Sequence, residues 1–243
     1  MRLYFPSGSN DILSQMRGRS QKNFCLAVAI GLVVAIGSGL TLAGSGFRQQ
    51  SIFLEPEPLD TTEAIPYFIA DGTDVPGYEI ADPELARAAL DAWSRESGGR
   101  LRFVESESER GALIRLIWVS GDQGHFGETE HIRVNGKPGA FVYVTPGASQ
   151  LGRELSVRAG EDKLLRDTIV YLTCVHELGH AVGLGHTDQF ADIMYSFGYG
   201  GNFTEYFLRY RRQLESRTDI MAHSGLSPSD AAALRALYSS EGY

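Results

Sequence analysis

The stretch Thr173-Cys174-Val175-His176-Glu177-Leu178-Gly179-His180-Ala181-Val182-Gly183-Leu184-Gly185-His186-Thr187-Asp188 decides the fold, because its spacing suits one helix and one turn built around a metal ion. Side chains four apart on an α-helix lie one turn above each other on one face. His176 and His180 can therefore each point a ring nitrogen at a single ion. Glu177 sits one residue on, near enough to bind a water held by that ion but turned away from the ligand position. A catalytic zinc site has three protein ligands and keeps its fourth position open. Continuing the helix would carry His186 away from the other two, so the chain has to turn back sharply. Gly183 stands where that turn is needed, and glycine takes the positive φ that other residues resist. Three ligands, one base and one turn read as a catalytic Zn2+ site with His176, His180 and His186 on the metal and Glu177 beside it.

Outward from this motif, Ile169, Leu172, Val175 and Val182 give an apolar side to a helix running from Lys163 to about Val182, suited to packing on a sheet. Upstream, Ile65–Ala70 reads as a first strand closed by Asp71-Gly72. Asp82-Pro83-Glu84 reads as a helix start, with Asp82 as N-cap and Pro83 at N1. Leu85, Ala89 and Trp93 follow at four-residue spacing, Gly98-Gly99 ends the helix, and Trp93 is expected as a core anchor. Leu101–Glu105 and Ala112–Val119 read as strands, the second apolar enough for a central position. Gly124–Arg133 and Ala140–Thr145 form another pair around Asn135-Gly136-Lys137-Pro138-Gly139. Downstream, Phe203, Tyr206, Phe207, Tyr210 and Leu214 recur at helical spacing with Arg209, Arg211 and Arg212 between them. Ser227 caps a last helix with Pro228 at N1. The order of strand, helix, then several strands implies an α/β (α+β) domain, a mixed sheet with packed helices.

Toward the N-terminus, residues 1–22 are polar with a basic excess, and 23–47 carry no charge. The run Phe24–Ala43 is long for the apolar part of a signal peptide, at about 7–15 residues, and matches the roughly 20 that span a bilayer. It reads as a membrane anchor, or as a signal peptide cleaved near Thr41-Leu42-Ala43-Gly44-Ser45. Basic residues before it place the remainder outside the cytoplasm. Residues 48–62 read as a linker containing Glu55-Pro56-Glu57-Pro58, and 63–243 as one catalytic domain. The net charge of −8 over 243 residues argues against nucleic acid as a partner, which needs a basic footprint. Cys174 reads as a small buried helix residue, and its separation from Cys25 in the apolar run argues against a disulfide. His125 and His131 are six apart and face one way, but lack a third ligand nearby, so surface or turn roles fit them better.

The eleven residues from His176 to His186, with Met194 eight residues further on and Tyr195 after it, resemble the metzincin zinc peptidases, and more narrowly the matrixins. Ile65–Ala70, the segment from about Asp82 to Ser97 and Leu226–Tyr238 are similar to that family's first strand, first helix and last helix. The resemblance implies a zincin-like, mostly parallel twisted sheet with an active-site helix. It also implies a Met-turn in which Met194 forms an apolar floor under the ligands. A second Asp219-Ile220-Met221 competes for that role, but the spacing favours Met194. An insertion of about residues 196–225 departs from the family pattern. The resemblance further implies that residues from Tyr195 to Tyr199 wall the pocket for the residue after the cut bond. The family's structural Ca2+ ligands have no residue-by-residue match, although Asp71, Asp74, Asp122 and Asp188 offer oxygens.

Two functions follow as expectations. One is a zinc endopeptidase acting on protein or peptide substrates, with Glu177 as general base. The other is a membrane-tethered zinc-binding domain without peptidase activity, against which the intact Glu177 counts.

Overall fold

A computed structural model describes residues 56–121 and 126–239. The basic tail, the apolar run 23–47, His125 and Asp122 lie outside them. Among the described residues no helix is long and apolar enough to cross a membrane.

Five strands form one sheet: β1 (Ile65–Ile69), β2 (Phe103–Glu105), β3 (Ile114–Trp118), β4 (Gly127–Val134) and β5 (Lys137–Val144), in the order β2-β1-β3-β5-β4. All neighbours are parallel except β4, which runs antiparallel along β5 and forms one edge. The mixed, mostly parallel α/β sheet expected from the sequence is thus present. Asn135 and Gly136 both have positive φ, 53° and 83°, which makes the two-residue turn that pairs Val134 with Lys137. On β3, Ile114, Leu116 and Trp118 are buried while Arg115 and Ile117 face the other way, and Arg115 lies over the Phe141 ring. Alternation of this kind gives the sheet one apolar face for helices.

The helices are α1 (Asp82–Glu96), α2 (Arg153–Glu161), α3 (Lys163–Ala181), α4 (Phe203–Arg211) and α5 (Pro228–Leu237). Helix α3 packs on β4 and β5 and lies beside α1. Trp93 of α1 is fully buried and its Nε1 donates to the Val175 carbonyl of α3 at 2.9 Å, so it is a core anchor. Helix α5 begins with a capping box between Ser227 and Asp230, as Ser227-Pro228 leads one to expect.

One expectation needs correction, and two further features go beyond the sequence reading. Asp82 is not the cap of α1; Ala81 is, and the Asp82 carboxylate is buried in an ion pair with Arg166 of α3. A carboxylate wholly removed from water needs such a partner more than a helix end needs a cap. Residues 56–62, the described part of the extended linker, lie along the domain. Leu59 is buried and its N–H donates to Tyr238 Oη at 2.9 Å, while Glu57 and Asp60 pair with Arg133 and Lys137. Helix α2 was not expected at all: only Leu155 and Ala159 are buried on it, too narrow a stripe to stand out.

Candidate metal centre and active site

Helix α3 is pinned before it reaches the motif. Asp162 caps it, accepting from Leu165 N–H at 3.0 Å, and Val175 receives the Trp93 bond. The helix ends at Ala181, and Gly183 takes φ 99° as the chain reverses. Leu184 N–H then donates to Gly179 O at 2.9 Å, which closes the turn. His176, His180 and His186 come together as a result, each offering one nitrogen within 4.8 Å of the others.

The two helical histidines are oriented by backbone carbonyls. His176 Nδ1 lies 2.6 Å from Ile193 O, and His180 Nδ1 lies 2.9 Å from Leu184 O. A carbonyl only accepts, so both Nδ1 atoms carry the proton and both Nε2 atoms keep a bare lone pair. Burial pushes His176 down to about 4 and His180 down to about 3, with the neighbouring histidines adding to the second shift. His186 is also lowered by burial. Neutral imidazole is the form that binds metal. His186 Nε2 stands 3.3 Å from His176 Nε2 and 3.1 Å from His180 Nε2. A tetrahedral ion with bonds of about 2.05 Å spaces its ligand atoms about 3.3 Å apart. The donor set therefore fits zinc in atom type, protonation and separation.

Glu177 points to the opposite wall, the edge strand β4. Its side chain is buried, and Thr129 Oγ1 lies 2.9 Å from both Glu177 Oε2 and Glu177 O. A methyl group on Gly127 would stand 2.4 Å from Glu177 Oε1, so only glycine admits the carboxylate there. Burial pushes the Glu177 carboxyl up to about 7, opposed by the Thr129 bond and aided by the charge of Glu128.

Asp192-Ile193-Met194-Tyr195 forms a floor against helix α3, meeting it at His176 and Gly179. Met194 is buried, and its Sδ lies 2.3 Å from where a Cβ on Gly179 would sit. Met221 is 43 % exposed on a short 3-10 turn, Arg217–Met221. Thr187, next to His186, pairs with Tyr195 in a parallel bridge. The start of α5 fastens this floor: Asp230 accepts from Ile193 N–H at 2.8 Å and from Met194 N–H at 3.3 Å. Ser227 and Ser229 donate to Asp192 Oδ1 at 2.7 and 2.6 Å. Beside the floor, Phe197 stacks on Phe203 with centroids 3.7 Å apart, and Phe126 tilts against Phe203 at 6.2 Å.

The matrixin model of the Peptidase M10 family matches residues 62–206, more than half of the chain. This chain is a matrixin. It is also 27 % identical over 128 residues to the macrophage metalloelastase of Oryctolagus cuniculus, a stretch that covers 51 % of this chain and 26 % of that protein. The match thus spans about a quarter of the relative's length.

Of the residues expected at this matrixin's site, His176, His180, His186, Glu177 and Met194 lie together. Of the candidate oxygen ligands, Asp122 lies outside the described residues, Asp71 accepts from Thr73 and Asp188 accepts from Gln189. Among the described residues, the group that could hold a metal ion is the three histidines. Thr129, Gly127, Asp192 and Asp230 escape sequence reading, since each meets the motif only through tertiary contacts. Gly179 had a weaker signal, a glycine in mid-helix where alanine would be more stable.

Proposed function

We propose that this matrixin is a zinc endopeptidase that hydrolyses protein or peptide substrates. His176, His180 and His186 would hold the ion through Nε2, with Met194 beneath them and Glu177 as general base. Zinc bound there supplies a Lewis acid for the peptide carbonyl and brings the pKa of a bound water toward about 7. The Glu177 carboxylate takes the proton of the attacking water and returns it to the departing amine nitrogen. Thr129 holds that carboxylate while it does so, and Gly127 leaves room for it. Among the described residues β4 pairs with β5 alone, and its other side, beside Glu177, would offer backbone groups to an extended substrate chain.

The observation that carries this reading is the convergence of three imidazoles, two of them with Nε2 left proton-free by a carbonyl on Nδ1, beside a buried carboxyl group. Digestion of a diverse peptide mixture, read by mass spectrometry, tests it. Cleavage should stop with a zinc chelator and return on adding Zn2+. Zinc bound at one per chain with no peptide cut would favour the tethered binding domain instead.

The run Phe24–Ala43 would carry the domain out of the cytoplasm, as anchor or as cleaved signal; its apolar length and the basic residues before it support this. Protease accessibility in intact cells checks the side, and recovery in the membrane or soluble fraction separates anchor from signal.

A further inference from the structure

Neither the proposed ligands nor the proposed base come from the stretch after Tyr199, yet one helix of it reaches the metal centre from behind. Asn202 caps α4 by accepting from Glu205 N–H at 3.0 Å, and Tyr206, Phe207 and Tyr210 are its buried residues. Tyr206 Oη donates to Ile193 O at 2.9 Å. That oxygen is the one that receives His176 Nδ1–H at 2.6 Å. A carbonyl oxygen has two lone pairs, so both donors can be accepted at once. Arg209 lies one turn further along the same face of α4, its guanidinium 4.3 Å from the Tyr206 ring centroid. It donates to Phe190 O and reaches Asp192 O at 3.4 Å. Two side chains three residues apart thus cap the carbonyls of residues 190, 192 and 193.

The Tyr206 ring is held on several sides, edge-on to Phe197 at 5.1 Å, to Phe207 at 5.3 Å and to Phe190 at 5.9 Å. The ring alone would fill the core. The hydroxyl does something separate, since it fixes the position of the one acceptor that sets the His176 tautomer and ring plane. Ligand orientation by an outer partner affects metal affinity by about 10–100-fold.

We propose that Tyr206 is a positioning residue for His176, acting through the Ile193 carbonyl, and that α4 is a brace of the metal centre. This rests on the reading of His176 as a metal ligand. The comparison is between Tyr206→Phe and Tyr210→Phe in the full chain. Tyr210 Oη also donates to a backbone oxygen, that of His223 at 2.7 Å, but that bond does not lead to a ligand. Zinc affinity is measured by competition with a chromophoric chelator, and site geometry by the visible absorption of the Co2+-loaded protein. Tyr206→Phe should weaken zinc binding about tenfold and shift the cobalt bands, while Tyr210→Phe changes neither. Equal zinc affinity and identical cobalt spectra in wild type and Tyr206→Phe would overturn the proposal, as would an equal loss in both variants. If wild type itself binds no zinc, the metal-site reading fails, and the brace with it.

Discussion

Replacing Gly179 by alanine tests whether Met194 really forms the floor under the site helix. Gly179 lies between the two helical histidines, and a glycine in an exposed helix normally gains about 1 kcal/mol on becoming alanine. Here the added methyl would stand 2.3 Å from Met194 Sδ and 2.8 Å from Trp93 Cζ2. Neither neighbour is free to withdraw. Met194 is 1 % exposed and Trp93 is fully buried with its Nε1 bonded to Val175 O. Overpacking of this kind costs about 1–3 kcal/mol, and two clashes on one methyl put it near 3. Subtracting the helix gain leaves a net loss of about 2 kcal/mol, or roughly 4–8 °C in Tm for a domain of this size. Thermal unfolding followed by circular dichroism, with and without Zn2+, measures it. A Gly179→Ala protein as stable as wild type, or more so, would refute the packing of Met194 and Trp93 against the motif.

Three further perturbations follow from the same contacts. Thr129→Val removes a hydrogen bond to a charged group, worth about 1.5–3 kcal/mol, so kcat should fall about tenfold to a hundredfold with zinc content unchanged. Thr129→Ser should keep most of the rate, and a kcat for Thr129→Val equal to wild type would show that the hydroxyl is idle. Asp230→Ala strips the acceptor from Ile193 N–H, Met194 N–H and Ser227 N–H, and should cost about 3 kcal/mol, read as a fall in the urea midpoint. Although burial works the other way, hydrogen bonds from Ser227 and Ser229 hold the Asp192 carboxyl below the usual range. Its folded pKa is depressed, so its stabilisation is present above the ordinary carboxylate value of about 3.9 and is lost as pH falls through the folded value. Asp192→Asn should therefore flatten the decline of Tm below about pH 5; an unchanged acid limb would exclude Asp192 as a contributor.

What was legible in the sequence is what depends on neighbours along the chain. The four-residue spacing of His176 and His180, the positive φ of Gly183 and the Asn135-Gly136 hairpin are local requirements, and the histidines converge and both turns take the positive φ as that spacing implies. What was hidden depends on distant partners. Thr129 meets Glu177 across 48 positions, and Asp230 meets Ile193 across 37, with no periodic signal to announce either. Asp82 shows how a local signal can mislead: its place before Pro83 suits an N-cap, but Arg166, 84 positions away, takes the carboxylate. Helix α2 failed for the opposite reason, since a helix that buries two side chains leaves little apolar pattern to read.

The central claim is that Glu177 does the proton work of a zinc site that binds its metal without Glu177's help. Zinc content and peptide turnover of Glu177→Gln, measured side by side on one preparation, test it most directly. The variant should hold one zinc per chain as wild type does and lose about a hundredfold to ten-thousandfold in kcat. A Glu177→Gln protein that cleaves peptides as fast as wild type would contradict the account.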